Sequence, residues 1–191
     1  MPFEKVDKEW LKPFVENREN LLKEYNSVKD TIKRQNPQYH PEWDIIFLKD
    51  SWFGERKNYS KLPLLKSLME NIPDDIYLVL SMYSVIQPGM IGHFHSEPYP
   101  RENGYRRYHI PLQIPKGVRF EVEGEPLYDW EVGEVYEFTN PGTMHRILYP
   151  EGNKERVVFL IDVFEDHKPT KEELDYCYVT GSRFLEYSEK D

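Results

Sequence analysis

The sequence contains little of what several classes of protein require. Cys177 is the only cysteine among 191 residues, so the chain cannot close an intramolecular disulfide. The chain has 14 tyrosines and only ten glycines. Disordered and linker-type proteins have few aromatic residues, so this composition excludes that class. A net charge of −9 argues against binding to duplex nucleic acid, because such binding needs a broad positive surface. The most apolar run, residues 76–86, is too short to cross a bilayer, and the first residues lack a secretion-signal pattern. We therefore expect a soluble, cytoplasmic protein with no transmembrane anchor.

The order of the sequence patterns predicts one domain over residues 1–191. Apolar residues recur at helical spacing over about residues 13–34, and Pro63 is placed to open a second helix. Thr170 and Glu173 have the spacing of a capping box, which predicts a last helix. The predicted parts are a mainly helical N-terminal support over residues 1–75, a jelly-roll core over residues 76–164 and a C-terminal helix and tail over residues 165–191.

The core prediction depends on short runs rich in Ile, Val, Tyr and Phe that Pro and Gly separate. Regularly spaced strands of this kind are typical of an antiparallel sandwich or jelly roll, and not of alternating strands and helices. The fold class is therefore predicted as mainly β with flanking helices. The predicted strands are residues 43–48, 76–86, 107–114, 118–122, 134–138, 143–148 and 156–164.

Two histidines and a glutamate form a candidate metal site. His95 and Glu97 lie two residues apart, so on a strand their side chains would point to the same face. A second imidazole from His145 would complete a set of two histidines and one carboxylate, which leaves three positions open on Fe(II) for oxygen chemistry. The alternative is that His95 and Glu97 are two surface residues on a loop before Pro98.

Polar residues inside apolar strands form a second group of candidates. Arg156 opens an apolar run, where a guanidinium needs an anion as partner, and a carboxylate fits its planar fork. The alternative is an ion pair with Glu155 or Asp162. Ser84 is a lone hydroxyl in an apolar row, so it must bind either a backbone carbonyl or the carboxylate of a ligand.

The predicted strand over residues 107–114 is polar on one face. Arg107 and His109 lie on this face, while the opposite face is apolar. Such a face either contacts water or lines a polar cavity.

Together, these segments resemble the aspartyl/asparaginyl β-hydroxylase family of 2-oxoglutarate- and Fe(II)-dependent oxygenases. The resemblance implies a double-stranded β-helix (a jelly-roll, cupin-like core) that uses Fe(II), O2 and 2-oxoglutarate as co-substrate. The implied reaction converts 2-oxoglutarate to succinate and CO2 and hydroxylates an unactivated carbon of an amino acid, a peptidyl Asp or Asn, or a related anionic substrate. The matching pieces, in the family's order, are residues 83–89, His95, residues 107–112, residues 130–135, His145 and residues 156–163.

The resemblance also implies a role for each site residue. His95 and His145 would bind the iron, and Arg156 with Ser84 would hold the distal carboxylate of 2-oxoglutarate. Arg107 and His109 would lie beside the co-substrate near the metal.

Glu97 departs from part of the family. Membrane-anchored animal members have glycine at this position, whereas relatives that act on free amino acids have a carboxylate, usually aspartate. We predict that Glu97 is the third metal ligand; its alternative role is to hold a water on the metal.

The substrate and the reaction each leave alternatives. Arg101, Arg106 and Arg107 form a local positive group in an acidic chain, which predicts attraction of an anionic small-molecule or peptidyl substrate. The alternative is a solvated turn. For the function, the alternatives are a cupin-type metalloenzyme that does not use 2-oxoglutarate and a non-catalytic, ligand-binding β-sandwich.

Overall fold

The structure is a computed structural model of the chain, and it describes residues 3–32, 41–96, 104–138 and 143–177. In these residues the strands are β1 (Phe3–Val6), β2 (Trp43–Asp50), β3 (Gly54–Glu55), β4 (Tyr77–Ile86), β5 (Met90–Ile91), β6 (Tyr105–Gln113), β7 (Arg119–Val122), β8 (Val135–Phe138), β9 (His145–Tyr149) and β10 (Arg156–Phe164). The helices are α1 (Lys12–Glu16), α2 (Arg18–Val28), α3 (Pro63–Glu70) and α4 (residues 171–177), with 3-10 turns at Glu9–Leu11 and Tyr59–Lys61.

The strands form two antiparallel sheets that make the predicted jelly roll. The large sheet has the order β1-β8-β6-β10-β4-β2-β3, and the small sheet has the order β5-β9-β7. Side chains of both sheets meet in one buried cluster that includes Ile86, Phe120 and Phe138. The mainly β fold class with flanking helices is confirmed.

The central strand β10 is covered on both faces, and all of its residues are buried. On one face Val157 and Phe159 pack against the helices, where the ring of Phe159 stacks on Phe14 at 5.7 Å. On the other face Val158 and Leu160 belong to a second apolar cluster. A strand that is buried on both faces has a continuous apolar sequence, which is why the predicted and observed ends of this strand agree.

The N-terminal part differs from its prediction in two ways. Instead of one helix over residues 13–34, two helices meet at Asn17, whose backbone N and side-chain Nδ2 both donate to the carbonyl of Pro13. Asn side chains compete in this way with helical hydrogen bonds, and this residue therefore ends α1. The second difference is β1, which no sequence pattern indicates; it pairs with β8, with Phe3 opposite Phe138.

The start of α4 confirms the capping box. The hydroxyl of Thr170 accepts a hydrogen bond from the backbone N of Glu173 at 3.2 Å, and the Glu173 carboxylate accepts one from the backbone N of Thr170 at 2.7 Å. Leu174 then packs against the apolar cluster on the inner face of the large sheet. None of the helices in the described ranges has the length and hydropathy that crossing a membrane requires.

Candidate active site

His95 and His145 lie directly opposite each other. They form an antiparallel bridge in which each backbone N donates to the other residue's carbonyl, at 3.0 and 2.8 Å. The centroids of the two imidazole rings are 4.4 Å apart. The small sheet thus brings together two side chains that are fifty residues apart in the sequence, as the metal-site hypothesis requires.

Backbone carbonyls orient both imidazole rings. Nδ1 of His95 lies 3.1 Å from the carbonyl oxygen of His93, and Nδ1 of His145 lies 2.8 Å from that of Thr143. Because a carbonyl oxygen only accepts, each Nδ1 carries a proton, and in the neutral ring Nε2 then carries the lone pair. A metal-binding histidine is commonly held in this way by its second ring nitrogen.

Glu97, the predicted third ligand, lies outside the described residues. Within the ranges that the structure describes, no group of three or more His, Cys, Asp or Glu side chains converges as a metal site would require. The described part of the site therefore supplies two imidazoles, and the carboxylate remains a prediction from the sequence.

Arg156 and Ser84 meet on the inner face of the large sheet. The guanidinium Nη1 of Arg156 donates to the hydroxyl of Ser84 at 2.9 Å and to its carbonyl at 3.3 Å. The indole N of Trp43 donates to the same hydroxyl at 3.0 Å. Because the Ser84 oxygen accepts from two donors, its own hydrogen can be donated to a ligand.

Arg156 is a buried cation that has no anionic partner among the described residues. The side chain is 1% exposed, and no carboxylate of the described residues pairs with it. The alternative partners are engaged elsewhere, since Asp162 pairs with Arg107 and Glu155 accepts from Lys29. Burial lowers the pKa of Arg156 to about 9. A buried guanidinium in this state is a site for an anionic ligand.

The indole ring of Trp130 supports the guanidinium from one side. The central carbon of the Arg156 guanidinium lies 4.4 Å from the centroid of this ring, within the range of a cation–π interaction. Trp130 is also stacked on the ring of His109 at 6.3 Å. The same indole therefore positions two of the predicted site residues.

His109 and Arg107 have different environments on strand β6. Arg107 forms a buried, bidentate ion pair with Asp162, with Nε and Nη2 each 2.8 Å from a carboxylate oxygen. His109 is buried, and neither of its ring nitrogens has a hydrogen-bond partner among the described residues. Burial, and then the positive charge of Arg156, holds the pKa of His109 well below its usual value, so its ring is neutral at neutral pH.

One cavity brings these residues together. Its volume is about 90 Å³, measured as the space open to the centre of a water molecule. The polar face of β6 thus lines a cavity instead of contacting water. The predicted site residues along its wall are Ser84, His95, Arg107, His109, His145 and Arg156.

The contacts of three residues in this site were not predicted from the sequence. Trp43 and Trp130 hold Ser84 and Arg156, and Asp162 neutralises Arg107. Asp162 had a detectable signal, because it is a carboxylate in an apolar strand, six residues after Arg156 and on the same face. The contacts of the two tryptophans have no such signal in the sequence.

Comparisons with known proteins give a family and a fold. The chain matches the family described as aspartyl/asparaginyl beta-hydroxylase over residues 3–166. A search of curated proteins finds no match. Among solved structures, HygX from Streptomyces hygroscopicus, determined with nickel and 2-oxoglutarate bound, is similar, with a TM-score of 0.54 and 12% identity over 85% of this chain and 82% of HygX.

Two further structures have comparable similarity. A 2OG-Fe(II) oxygenase family oxidoreductase from Burkholderia pseudomallei has a TM-score of 0.52 and 11% identity, over 85% of this chain and 93% of its own. A prolyl-4-hydroxylase from Pseudomonas putida has a TM-score of 0.51 and 14% identity, over 88% of this chain and 94% of its own. At these identities the three structures show a shared fold.

Proposed function

This chain belongs to the aspartyl/asparaginyl beta-hydroxylase family and is a 2-oxoglutarate- and Fe(II)-dependent oxygenase, and we propose that it hydroxylates an unactivated carbon of a small-molecule or peptidyl substrate in the cavity described above. The observation that carries this proposal is the buried Arg156 guanidinium, which has no carboxylate partner in the described residues and shares a cavity with His95 and His145.

The metal fits the residues that are present. His95 and His145 would hold Fe(II) through Nε2, with Glu97 as the third ligand, and two imidazoles with one carboxylate are the donor set of this class of iron site. When bound, the iron activates O2 for the oxidation of 2-oxoglutarate and substrate. The carbonyls of His93 and Thr143 keep both rings in the orientation and tautomer that binding needs.

The co-substrate fits the other end of the site. Arg156 and the Ser84 hydroxyl would hold the distal carboxylate of 2-oxoglutarate, because together they offer a positive charge and an unused hydroxyl hydrogen. His109, neutral and with unpartnered ring nitrogens, would lie beside the co-substrate near the metal. Arg107 would lie beyond it, with its charge balanced by Asp162. These contacts act by positioning the co-substrate.

The overall reaction balances without a further reactant. Substrate C–H, 2-oxoglutarate and O2 give substrate C–OH, succinate and CO2. One oxygen atom of O2 enters the product and the other enters succinate. The mainly apolar walls of the cavity would limit the access of water to the reacting atoms.

The predicted affinity for anionic substrates now depends on fewer residues. Arg106 lies 3.3 Å from Glu137 and Arg107 is paired with Asp162, so carboxylates of the protein already balance both. Arg101 lies outside the described residues. An amino acid, a peptidyl Asp or Asn, or a related acidic substrate therefore remains a candidate whose attraction would depend on Arg101. An Arg101→Gln variant with unchanged substrate affinity would contradict this hypothesis.

The proposal is tested by thermal unfolding with Mn(II) in place of Fe(II). Wild-type protein should be stabilised by Mn(II), and further by 2-oxoglutarate. His145→Ala should lose both effects, and His167→Ala, a histidine whose side chain instead bonds Glu173, should keep both. If His145→Ala responds as the wild type does, the assigned metal site is wrong.

Turnover separates the assignment from a metalloenzyme that does not use 2-oxoglutarate. With Fe(II) and labelled 2-oxoglutarate, the wild type should release succinate slowly even without its substrate. Metal-dependent stabilisation that 2-oxoglutarate does not increase, with no succinate formed, would favour that alternative.

A further inference from the structure

The cavity extends well beyond the proposed cofactor site, along the inner face of the large sheet. On β10, Arg156, Leu160 and Asp162 all line it. Arg156 and Asp162 are six residues apart on one strand, and a strand rises by about 3.3 Å per residue, so this wall is about 20 Å long. The distance exceeds what 2-oxoglutarate alone needs, and the part of the cavity beyond the cofactor end is available to the substrate.

Besides Trp52, Tyr105 and Cys177, hydrocarbon side chains form the walls of this extension. They come from three adjacent strands, β2, β4 and β10, which pair in register. Each of the side chains is at most 8% exposed. We call this part of the cavity the apolar arm, and its defining residues are Ile45, Phe47, Leu80, Met82 and Leu160.

The described residues of the apolar arm offer no unbalanced charge. Beside it lie Arg107 and Asp162, but their bidentate contact at 2.8 Å satisfies both groups. His109, whose ring nitrogens have no hydrogen-bond partner among the described residues, lies opposite Leu160 in the sheet and is neutral, whereas Arg156 lies at the cofactor end. A charged group that entered the arm would lose its water and gain no partner of opposite charge there.

We propose that the substrate carries an uncharged hydrocarbon group next to the carbon that is hydroxylated, and that this group occupies the apolar arm. This inference rests on the proposed function, because it assigns the cofactor end to 2-oxoglutarate and the metal. An acidic group of the substrate lies at the mouth and not in the arm.

The test uses neutral probes that do not chelate the metal. Binding of N-ethyl-, N-butyl- and N-hexylacetamide to the protein loaded with Mn(II) and 2-oxoglutarate is measured by titration calorimetry. Affinity should rise about fourfold for each methylene group, the value for full burial of a methylene, until the arm is filled. A flat series overturns the inference.

A charged analogue of the longest probe provides the second comparison. 6-Acetamidohexanoate replaces the terminal methyl of N-hexylacetamide by a carboxylate and is otherwise identical. It should bind at least about tenfold more weakly, because the carboxylate would be desolvated without a positive partner. Equal or tighter binding of the carboxylate overturns the inference and favours recognition of an acidic group by Arg107.

A matched pair of variants locates the probe. Leu80 lines the arm, whereas Leu78 on the same strand packs against the cluster on the helix side of the sheet. Leu80→Asn should weaken binding of N-hexylacetamide about tenfold, and Leu78→Asn less than about twofold. Equal binding by both variants would mean that the probe binds elsewhere and would overturn the inference.

Two controls keep the outcomes separate. If Leu80→Asn does not fold, the inference is decided by the affinities of the wild-type protein for N-hexylacetamide and 6-acetamidohexanoate. Stabilisation by Mn(II) and 2-oxoglutarate is measured on the same samples. Its absence would contradict the proposed function, whereas its presence with a flat probe series would contradict only the apolar-arm inference.

Discussion

Replacing Arg156 by methionine should make the protein more stable without its co-substrate and unable to bind that co-substrate. The two effects have one cause: a positive charge is buried in the cavity, and the described residues supply no carboxylate to balance it. Methionine has a similar volume and fills the same space without a charge to desolvate. A residue kept only for packing would show the opposite effect on stability.

The size of the effect follows from the pKa of Arg156. Burial lowers this pKa to about 9, which corresponds to roughly 5 kcal/mol lost by the charged form on folding. Hydrogen bonds to Ser84 and the contact with Trp130 offset part of this cost, by about 1 kcal/mol each. We expect Arg156→Met to raise the free energy of unfolding by about 1 to 4 kcal/mol, the range found when buried charges are replaced by apolar residues.

The same pKa predicts that the free energy of unfolding depends on pH. Arg156 has a lower pKa in the folded chain than in the unfolded chain, where it keeps its ordinary value. The unfolded state therefore binds more protons above about pH 9, and stability from this group rises with pH there. The difference in the free energy of unfolding between Arg156→Met and the wild type should therefore become smaller as the pH increases from 9.

Urea unfolding at pH 7.5 measures both effects. In the presence of Mn(II), 2-oxoglutarate at about 100 times its Kd should raise the free energy of unfolding of the wild type by about 2.7 kcal/mol. It should not change the free energy of unfolding of Arg156→Met. Arg119→Met, at an arginine whose side chain is 43% exposed, should change stability by less than about 0.5 kcal/mol. The reasoning is refuted if Arg156→Met is less stable than the wild type without 2-oxoglutarate, or if 2-oxoglutarate stabilises both equally.

Other side chains of the site give further predictions. Ser84→Ala should raise the KM for 2-oxoglutarate about tenfold in steady-state assays of succinate, because a hydrogen bond to a charged group contributes about 1.5 kcal/mol; an unchanged KM would contradict its role. Asp162→Asn should lower the free energy of unfolding by about 3 to 5 kcal/mol, because it leaves Arg107 charged and buried without its partner. The exposed Asp166→Asn is the control, and equal losses in the two variants would contradict the argument. Glu97→Ala should weaken Mn(II) binding at least about tenfold in calorimetry; unchanged affinity would exclude Glu97 as a ligand.

Local patterns predicted most of the core. The ends of β10 agree with their prediction because a strand covered on both faces must be apolar throughout. The capping box at Thr170 and Glu173 was predicted for a similar reason, since its hydrogen bonds join residues three apart. The family resemblance likewise depended on ordered motifs, and the match over residues 3–166 confirms it.

Long-range contacts were not predictable in this way. Strand β1 has no distinctive pattern, because its partner β8 begins more than a hundred residues later and supplies its hydrogen bonds. The break between α1 and α2 depends on which hydrogen bond Asn17 makes, and helical spacing alone does not reveal that choice.

The sequence by itself determined the main strands of the core, the two histidines, Ser84 and the unusual arginine at the start of an apolar run, because each is visible as a residue type at a spacing. Only the tertiary structure decided how the charges pair. Asp162 faces Arg107 across two neighbouring strands, so Arg156 keeps its charge without a carboxylate from the described residues. Which guanidinium stays unpaired depends on strand register, and register is a property of the folded sheet.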